Sequence, residues 1–265
     1  MGEKALIENE NSSDAHSLAI LHHSNTALNP TNSNFITFLD DDGIHNRRVA
    51  IKVKIKVEGD KLEIDFRGTA SQVKSNMNSP FASSVSSAIA CVKSVLTDPD
   101  IRFNEGAERA ILVKIPYGSI LNPRPRAPVR ARLLPSYRVV NAVMEALGQA
   151  VPERVIAPGF DTTSVSCLSH KADGGYNIYL EIFGGGFGAG PNHDGCDAVD
   201  SMLSNCSNIP IEAMESDYPF FRVVDYSLRS SSGGDGKFRG GMGFQKAYQI
   251  LLDNVTFATY GDRFR

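Results

Sequence analysis

Every second residue from Val49 to Val57 is a β-branched aliphatic: Val49, Ile51, Val53, Ile55 and Val57 alternate with Ala50, Lys52, Lys54, Lys56 and Glu58. Successive side chains on a strand point to opposite faces, so this stretch has one apolar and one charged face. That suits a half-buried antiparallel strand; wound into a helix, the same residues would scatter around the axis. Glu58-Gly59-Asp60-Lys61 then turns the chain, and Leu62, Ile64 and Phe66 alternate back. The result is a predicted β-hairpin with its lysines in water. The lysines read as a solvated strand face and not as a nucleic-acid patch. With 27 Lys and Arg against 30 Asp and Glu, the chain has no positive excess to attract nucleic acid or an anionic membrane.

The rest of the chain offers the same kind of signals at lower density. Ser79-Pro80 supplies an N-cap and a first-turn proline for a helix carrying Phe81, Val85, Ala88, Ile89, Val92, Val95 and Leu96, which Asp98-Pro99 ends. Residues 110–115 read as a strand stopped by Pro116. Four prolines between 122 and 135 (Pro123, Pro125, Pro128 and Pro135) make that segment extended and irregular. Ser136 is expected to cap a second amphipathic helix through Val140, Val143, Met144 and Leu147, with Gly148 near its end. Further strands are expected at 176–183, 220–228, 244–252 and 255–260, and no internal repeat is present. Strands outnumber helices and mostly alternate, so the expected class is α+β: mostly antiparallel sheet with a few amphipathic helices.

A chain of 265 residues that is 42% hydrophobic has material for a real core, and its length lies between one large domain and two small ones. Residues 1–35, rich in Asn and Ser, read as a low-order linker or N-terminal extension, and 36–265 as the folded part. His16, His22 and His23 have no acidic or Cys partner at a ligand spacing and read as solvated. Cys91, Cys167, Cys196 and Cys206 show neither a CxxC pair nor zinc spacing, and read as reduced, mostly buried thiols. No apolar run approaches the roughly 18 residues of a membrane span, and no secretory pattern opens the chain. Met1-Gly2 is not followed by the Ser or Thr that myristoylation needs, since Leu6 stands there. A cytoplasmic protein is the expectation.

Three segments can carry chemistry. In the first, Gly184, Gly185, Gly186, Phe187 and Gly188 follow a strand and lead through Pro191 to His193-Asp194-Gly195. Its glycines permit positive φ and close approach of backbone amides to a ligand. It lacks the Gly-Lys-Ser/Thr ending of a phosphate loop, and Pro191-Asn192 stand where a dinucleotide motif would open a helix. His193 beside Asp194 suits acid–base or metal work; from composition alone, a tight turn with local hydrogen bonds is the more expected reading. In the second, residues 230–243, Arg239 either binds an anionic ligand or pairs with an internal Asp, and the pairing is the expected use. Asn104-Glu105-Gly106 and the run 119–123 form the third, a surface of turns. Asp40-Asp41-Asp42-Gly43 lacks the further oxygen ligands of a calcium loop and reads as a polar turn.

Taken in order, these segments resemble the hydantoinase B/oxoprolinase family. The run includes Phe38-Leu39-Asp40-Asp41-Asp42-Gly43, Leu62-Glu63-Ile64-Asp65-Phe66-Arg67-Gly68, Asn78-Ser79-Pro80, Asn104-Glu105-Gly106, residues 115–123, and Pro128-Val129-Arg130-Ala131-Arg132. It continues with the glycine loop, residues 208–215, Ser232-Gly233-Gly234 and Arg239-Gly240-Gly241. Ser79 stands where the family usually has Cys, Ser231 where it has Asp, and Phe187 where it commonly has Trp. Family members are also longer, so the chain resembles the middle-to-C-terminal part of a catalytic subunit. The resemblance implies part of an ATP-dependent cyclic-amide hydrolase of the 5-oxoprolinase or hydantoinase type. ATP would sit on a hydantoinase A-type subunit or domain, and the two would work as an oligomeric complex on a small cyclic amide. It allows a divalent metal with ligands outside this chain. Within the chain it points to His193 and Asp194 for catalysis, and to Gly184–Gly188 and Arg239 along the substrate path. An acetone or acetophenone carboxylase-type subunit, or a non-catalytic scaffold docking on the A-type partner, are the alternatives.

Overall fold

A computed structural model describes residues 32–97, 104, 109–172, 174–200, 202–204 and 209–263. The histidines at 16, 22 and 23, Cys206, and the expected helix stop at Asp98-Pro99 lie outside them, as does most of the Asn104-Glu105-Gly106 turn. The chain divides into two compact units, Met1–Val155 and Ile156–Arg265.

The first unit is a four-stranded sheet with two helices. Strands β1 (Asn32–Leu39), β2 (Val49–Glu58), β3 (Lys61–Asp65) and β4 (Ile111–Lys114) lie in that order. Strands β2 and β3 form the expected hairpin, Val57 facing Leu62 and Ile55 facing Ile64. Along β2, burial alternates residue by residue, with Ile51 and Ile55 at 0% and 1% exposure and the lysines in solvent. Strand β1 begins inside the segment that composition assigns to the N-terminal extension, so 32–35 are sheet. Its polar start conceals it from sequence patterning.

Strands β3 and β4 run parallel, a departure from the antiparallel expectation. The chain between them carries helix α1 (Phe81–Leu96), and a parallel neighbour requires such a crossover. Helix α1 packs on α2 (Leu133–Gly148), which also contacts β1 and β2. Sequence places both helix starts imperfectly. Pro80 is the N-cap of α1. The Ser79 hydroxyl is not capping; it sits between Ser84 (3.0 Å) and Ser136 (3.2 Å). Ser136 lies inside α2, whose first turn accommodates Pro135 because a first-turn amide needs no helical acceptor. These three buried hydroxyls bond one another where the helices meet. Nearby, the fully buried Asn78 donates to the carbonyls of Val73, Ser75 and Pro128 and accepts the Val73 amide.

The second unit holds a three-stranded antiparallel sheet of β5 (Ser164–Ala172), β6 (Gly175–Phe183) and β9 (Val255–Tyr260), in the order β6-β5-β9. It also holds helix α3 (Ile211–Asp217) and the pair β7 (Phe221–Leu228) and β8 (Phe244–Ile250). Leu168, Tyr179, Met214, Phe220 and Phe221 form its core, flanked by Tyr218 and Tyr248. Ring pairs such as Tyr179–Phe221, 4.9 Å between centroids, fill it. The α+β class holds for the chain, with three helices and mostly antiparallel pairing among the described residues. Of the described cysteines Cys91 is buried, Cys167 half-buried and Cys196 exposed, so the expected general burial holds for Cys91 alone.

Candidate functional site

Strand β6 delivers Phe183 directly into the glycine run. None of the glycines from 184 to 190 has positive φ, so conformational freedom is not why they are there. Space is the reason. A Cβ on Gly186 would fall on the carbonyl of Gly241, one on Gly188 on the carbonyl of Ala157, and one on Gly195 on the carbonyl of Phe187. Four stretches of main chain cross at van der Waals contact here. Phe160 N bonds Gly186 O (2.8 Å), Phe187 N bonds Cys196 O (2.9 Å), Gly241 N bonds Phe187 O (2.8 Å), and Gly195 N bonds Arg239 O (2.8 Å). Gly185 and Val199 exchange both of their bonds. The amides of Gly185, Phe187 and Gly190 are thus spent on other main chain.

Beside this crossing lies a cleft of about 610 Å³, in the size range of small-molecule sites. Gly184, Gly185, Gly186, Phe187 and Gly188, read from sequence as a substrate path, all line it, together with Phe160, Arg229, Asp235 and Phe238.

The other residues singled out from sequence brace the crossing. The guanidinium of Arg239 grips Asp197 with two bonds, 2.7 and 3.1 Å long, and donates to Gly240 O. Its amide donates to Asp194 Oδ1 at 2.9 Å. Asp197 also accepts the Met242 amide at 2.7 Å. The Arg239 bonds first, then the Met242 amide, hold the Asp197 carboxyl below its usual range. The pairing of Arg239 with an internal Asp is therefore present, and Asp197 escapes sequence reading because it is 42 residues away. His193 and Asp194 follow the cleft-lining stretch and do not pair through their side chains. His193 Nδ1 meets the Asp194 main-chain carbonyl at 2.9 Å, and its ring covers Gly190. The Asp194 carboxylate goes to Arg239.

A second cluster, with no sign in the sequence, stands three residues before Gly184. Lys246 Nζ, on β8, bonds both oxygens of Glu181, on β6, at 2.8 and 2.7 Å. Their side chains are 3% and 13% exposed. Tyr179 and Tyr248 donate to the same carboxylate, and Nζ lies 4.8 Å from the Tyr226 ring centroid. Burial, reinforced by Glu181, pushes both donating phenols well above their ordinary range. Among the described residues no three His, Cys, Asp or Glu side chains gather as a metal site. No described helix is long and apolar enough to cross a membrane.

The sequence model of the hydantoinase B/oxoprolinase family matches residues 7–265. The chain belongs to that family. The B-type subunit assigned to a D-/L-hydantoinase of Pseudomonas sp. (strain NS671) is 36% identical over 222 residues, covering 82% of this chain and 37% of that one. A 5-oxoprolinase of Dictyostelium discoideum is 32% identical over 238 residues, covering 89% of this chain and 18% of that protein. The crystal structure of an ATP-dependent caprolactamase from Pseudomonas jessenii superposes with a TM-score of 0.79 at 25% identity, covering 94% of this chain and 44% of that one. This hydantoinase B/oxoprolinase chain thus spans less than half the length of each of these relatives.

Proposed function

We propose that this chain forms part of an ATP-dependent hydrolase of cyclic amides, working with an ATP-binding subunit or domain of the hydantoinase A type. What carries the reading is the family match over nearly the whole chain, together with relatives whose names attach to opening ring amides. ATP bound on the partner would phosphorylate the amide oxygen and leave as ADP; water would then add to the ring carbon, the C–N bond would break as the nitrogen takes up a proton, and the acyl phosphate so formed would be hydrolysed to carboxylate and phosphate.

The role of this chain is to hold the ring and keep its surroundings fixed. The glycine cleft is the proposed path: at about 610 Å³ it has room for a small flat ring, and the close-packed main chain behind it holds the lining residues in place. Arg239, Asp194 and Asp197 are positioning residues that tie the outer turn to the wall. His193 is the proposed proton-transfer group. With Nδ1–H donated to the Asp194 carbonyl, Nε2 is left as the basic nitrogen of an exposed imidazole.

The test is ATP consumption by the full assembly with 5-oxoproline, with a hydantoin, and with acetone plus bicarbonate. Ring opening coupled to ATP use supports the hydrolase; ketone carboxylation alone would assign the carboxylase reading, and no turnover with bound partner the scaffold. His193→Ala is expected to lower kcat about 100-fold, the usual scale of a general acid or base. Unchanged turnover would remove that role from His193.

A further inference from the structure

The cations around the glycine crossing are nearly all committed. Arg239 is held by Asp197, Lys246 by Glu181, and Arg263 by Asp161 and the Gly159 carbonyl. Arg229 differs. It lines the cleft, yet among the described residues no carboxylate or other acceptor meets its guanidinium. Its backbone, by contrast, is fixed at two points, and a third bond anchors the hydroxyl that holds one of them. The Arg229 amide donates to Gly243 O (2.9 Å), the Ser232 hydroxyl donates to Arg229 O (2.7 Å), and the Gly243 amide donates to that same hydroxyl (2.9 Å). A side chain with five donors and no acceptor is thus carried on a clamped segment at the edge of a small-molecule-sized cleft. Asp235 lines the same cleft and is not paired with Arg229 either, so the two opposite charges remain apart and available.

We propose that Arg229 is the anion-reading residue of the glycine cleft: the ring it admits carries an oxyanion, either a ring carboxylate or a phosphoryl group on the amide oxygen, while Asp235 accepts the N–H of the ring amide before any phosphorylation. The proposal deepens the ring-amide reading above and rests on it for the identity of the ring. A planar guanidinium suits either oxyanion, because its paired N–H groups match two oxygens at once. Uncharged lactams make no use of it, so Arg229 would separate acidic rings from neutral ones of the same size.

The experiment is an NMR titration of the full-length protein with 5-oxoproline, with 2-pyrrolidinone, which is the same ring without the carboxylate, and with inorganic phosphate. One of the two anions is expected to bind at least about tenfold more tightly than 2-pyrrolidinone, the scale of a hydrogen bond to a charged group. Arg229→Gln should erase that advantage and leave 2-pyrrolidinone unchanged, while Arg229→Lys keeps part of it. An advantage held by 5-oxoproline identifies the carboxylate as the source, and one held by phosphate the phosphoryl group. Equal affinity for all three in the wild type, or an advantage that survives Arg229→Gln, would overturn the proposal. Arg229 is exposed, so an unchanged melting curve shows that the variant is folded. Because the readout is binding, it is independent of turnover: ring opening without an Arg229-dependent advantage sinks this inference alone, and Arg229-dependent binding without ATP-coupled ring opening sinks the hydrolase reading alone.

Discussion

Lys246 and Glu181 form an ion pair between β8 and β6 whose ammonium touches both carboxylate oxygens, 65 residues apart in sequence and almost closed to solvent. Tyr179 and Tyr248 satisfy the remaining capacity of the carboxylate, so the pair is enclosed but not orphaned. Removing one partner leaves the other charge buried and unmatched. Lys246→Met is expected to destabilise the second unit by about 3–5 kcal/mol. The double change Lys246→Met with Glu181→Leu should cost clearly less, since it removes both charges. Urea unfolding followed by tyrosine fluorescence measures both; a double variant as unstable as the single one would contradict the account.

Two glycines of similar sequence context predict opposite outcomes. Gly186→Ala places a methyl on the main-chain carbonyl of Gly241, which cannot turn aside as a side chain could. A loss of about 3 kcal/mol, at the upper end of overpacking costs, is expected. Gly234 has nothing within 4 Å of an added Cβ and no positive φ. Gly234→Ala should therefore be neutral or slightly stabilising through the unfolded state. Thermal melts of the two variants side by side decide it.

The acid response of the first unit follows from Asp42. Its carboxyl is lowered from 3.8 to about 2, first by the bond from the His45 amide and then by the His45 side chain. A depressed carboxylate contributes stability that is complete above its unfolded value and is lost as pH falls through the folded one. Wild type should therefore lose stability between pH 3.8 and about 2, while Asp42→Asn should show a flatter dependence across that window. Asp197 acts in the same direction in the second unit, its carboxyl lowered chiefly by Arg239. Denaturant midpoints measured at a series of pH values, for wild type and each Asn variant, check the sign.

Asn78 ties its own loop to the loop of Pro128 through one amide group. Asn78→Ala leaves the Val73 amide and the carbonyls of Val73, Ser75 and Pro128 without this buried partner. A cost of about 2–3 kcal/mol is expected, against about 1 kcal/mol for Ser136→Ala at the hydroxyl cluster. Chemical denaturation of the two variants provides the comparison.

Legibility from sequence follows the range of the interactions involved. The β2–β3 hairpin is fully readable because its apolar and charged faces are written in neighbouring residues. The two long helices are readable in existence but not in their starts: Ser136 and Ser79 look like caps, yet α1–α2 packing recruits both hydroxyls to a buried cluster. Strand β5 escapes reading because its serines blur the alternation, and pairing with β6 on one side and β9 on the other makes it a strand. At the candidate site, the glycine run and Arg239 are visible as composition. Asp197, Glu181 and Lys246 are not, since an isolated charged residue on a strand or turn gives no local sign of a distant partner.

Alternating side chains and the ordered motifs by themselves determined the α+β class, the hairpin and the family. Both are local, or a sequence of local marks, and neither requires knowing what touches what. Only the tertiary structure decided why the glycines are needed, which acid holds Arg239, and which arginine is left uncommitted beside the cleft. Those depend on main-chain segments converging from distant parts of the chain, where the absence of a Cβ and the placement of a carboxylate matter only once the chain has closed on itself.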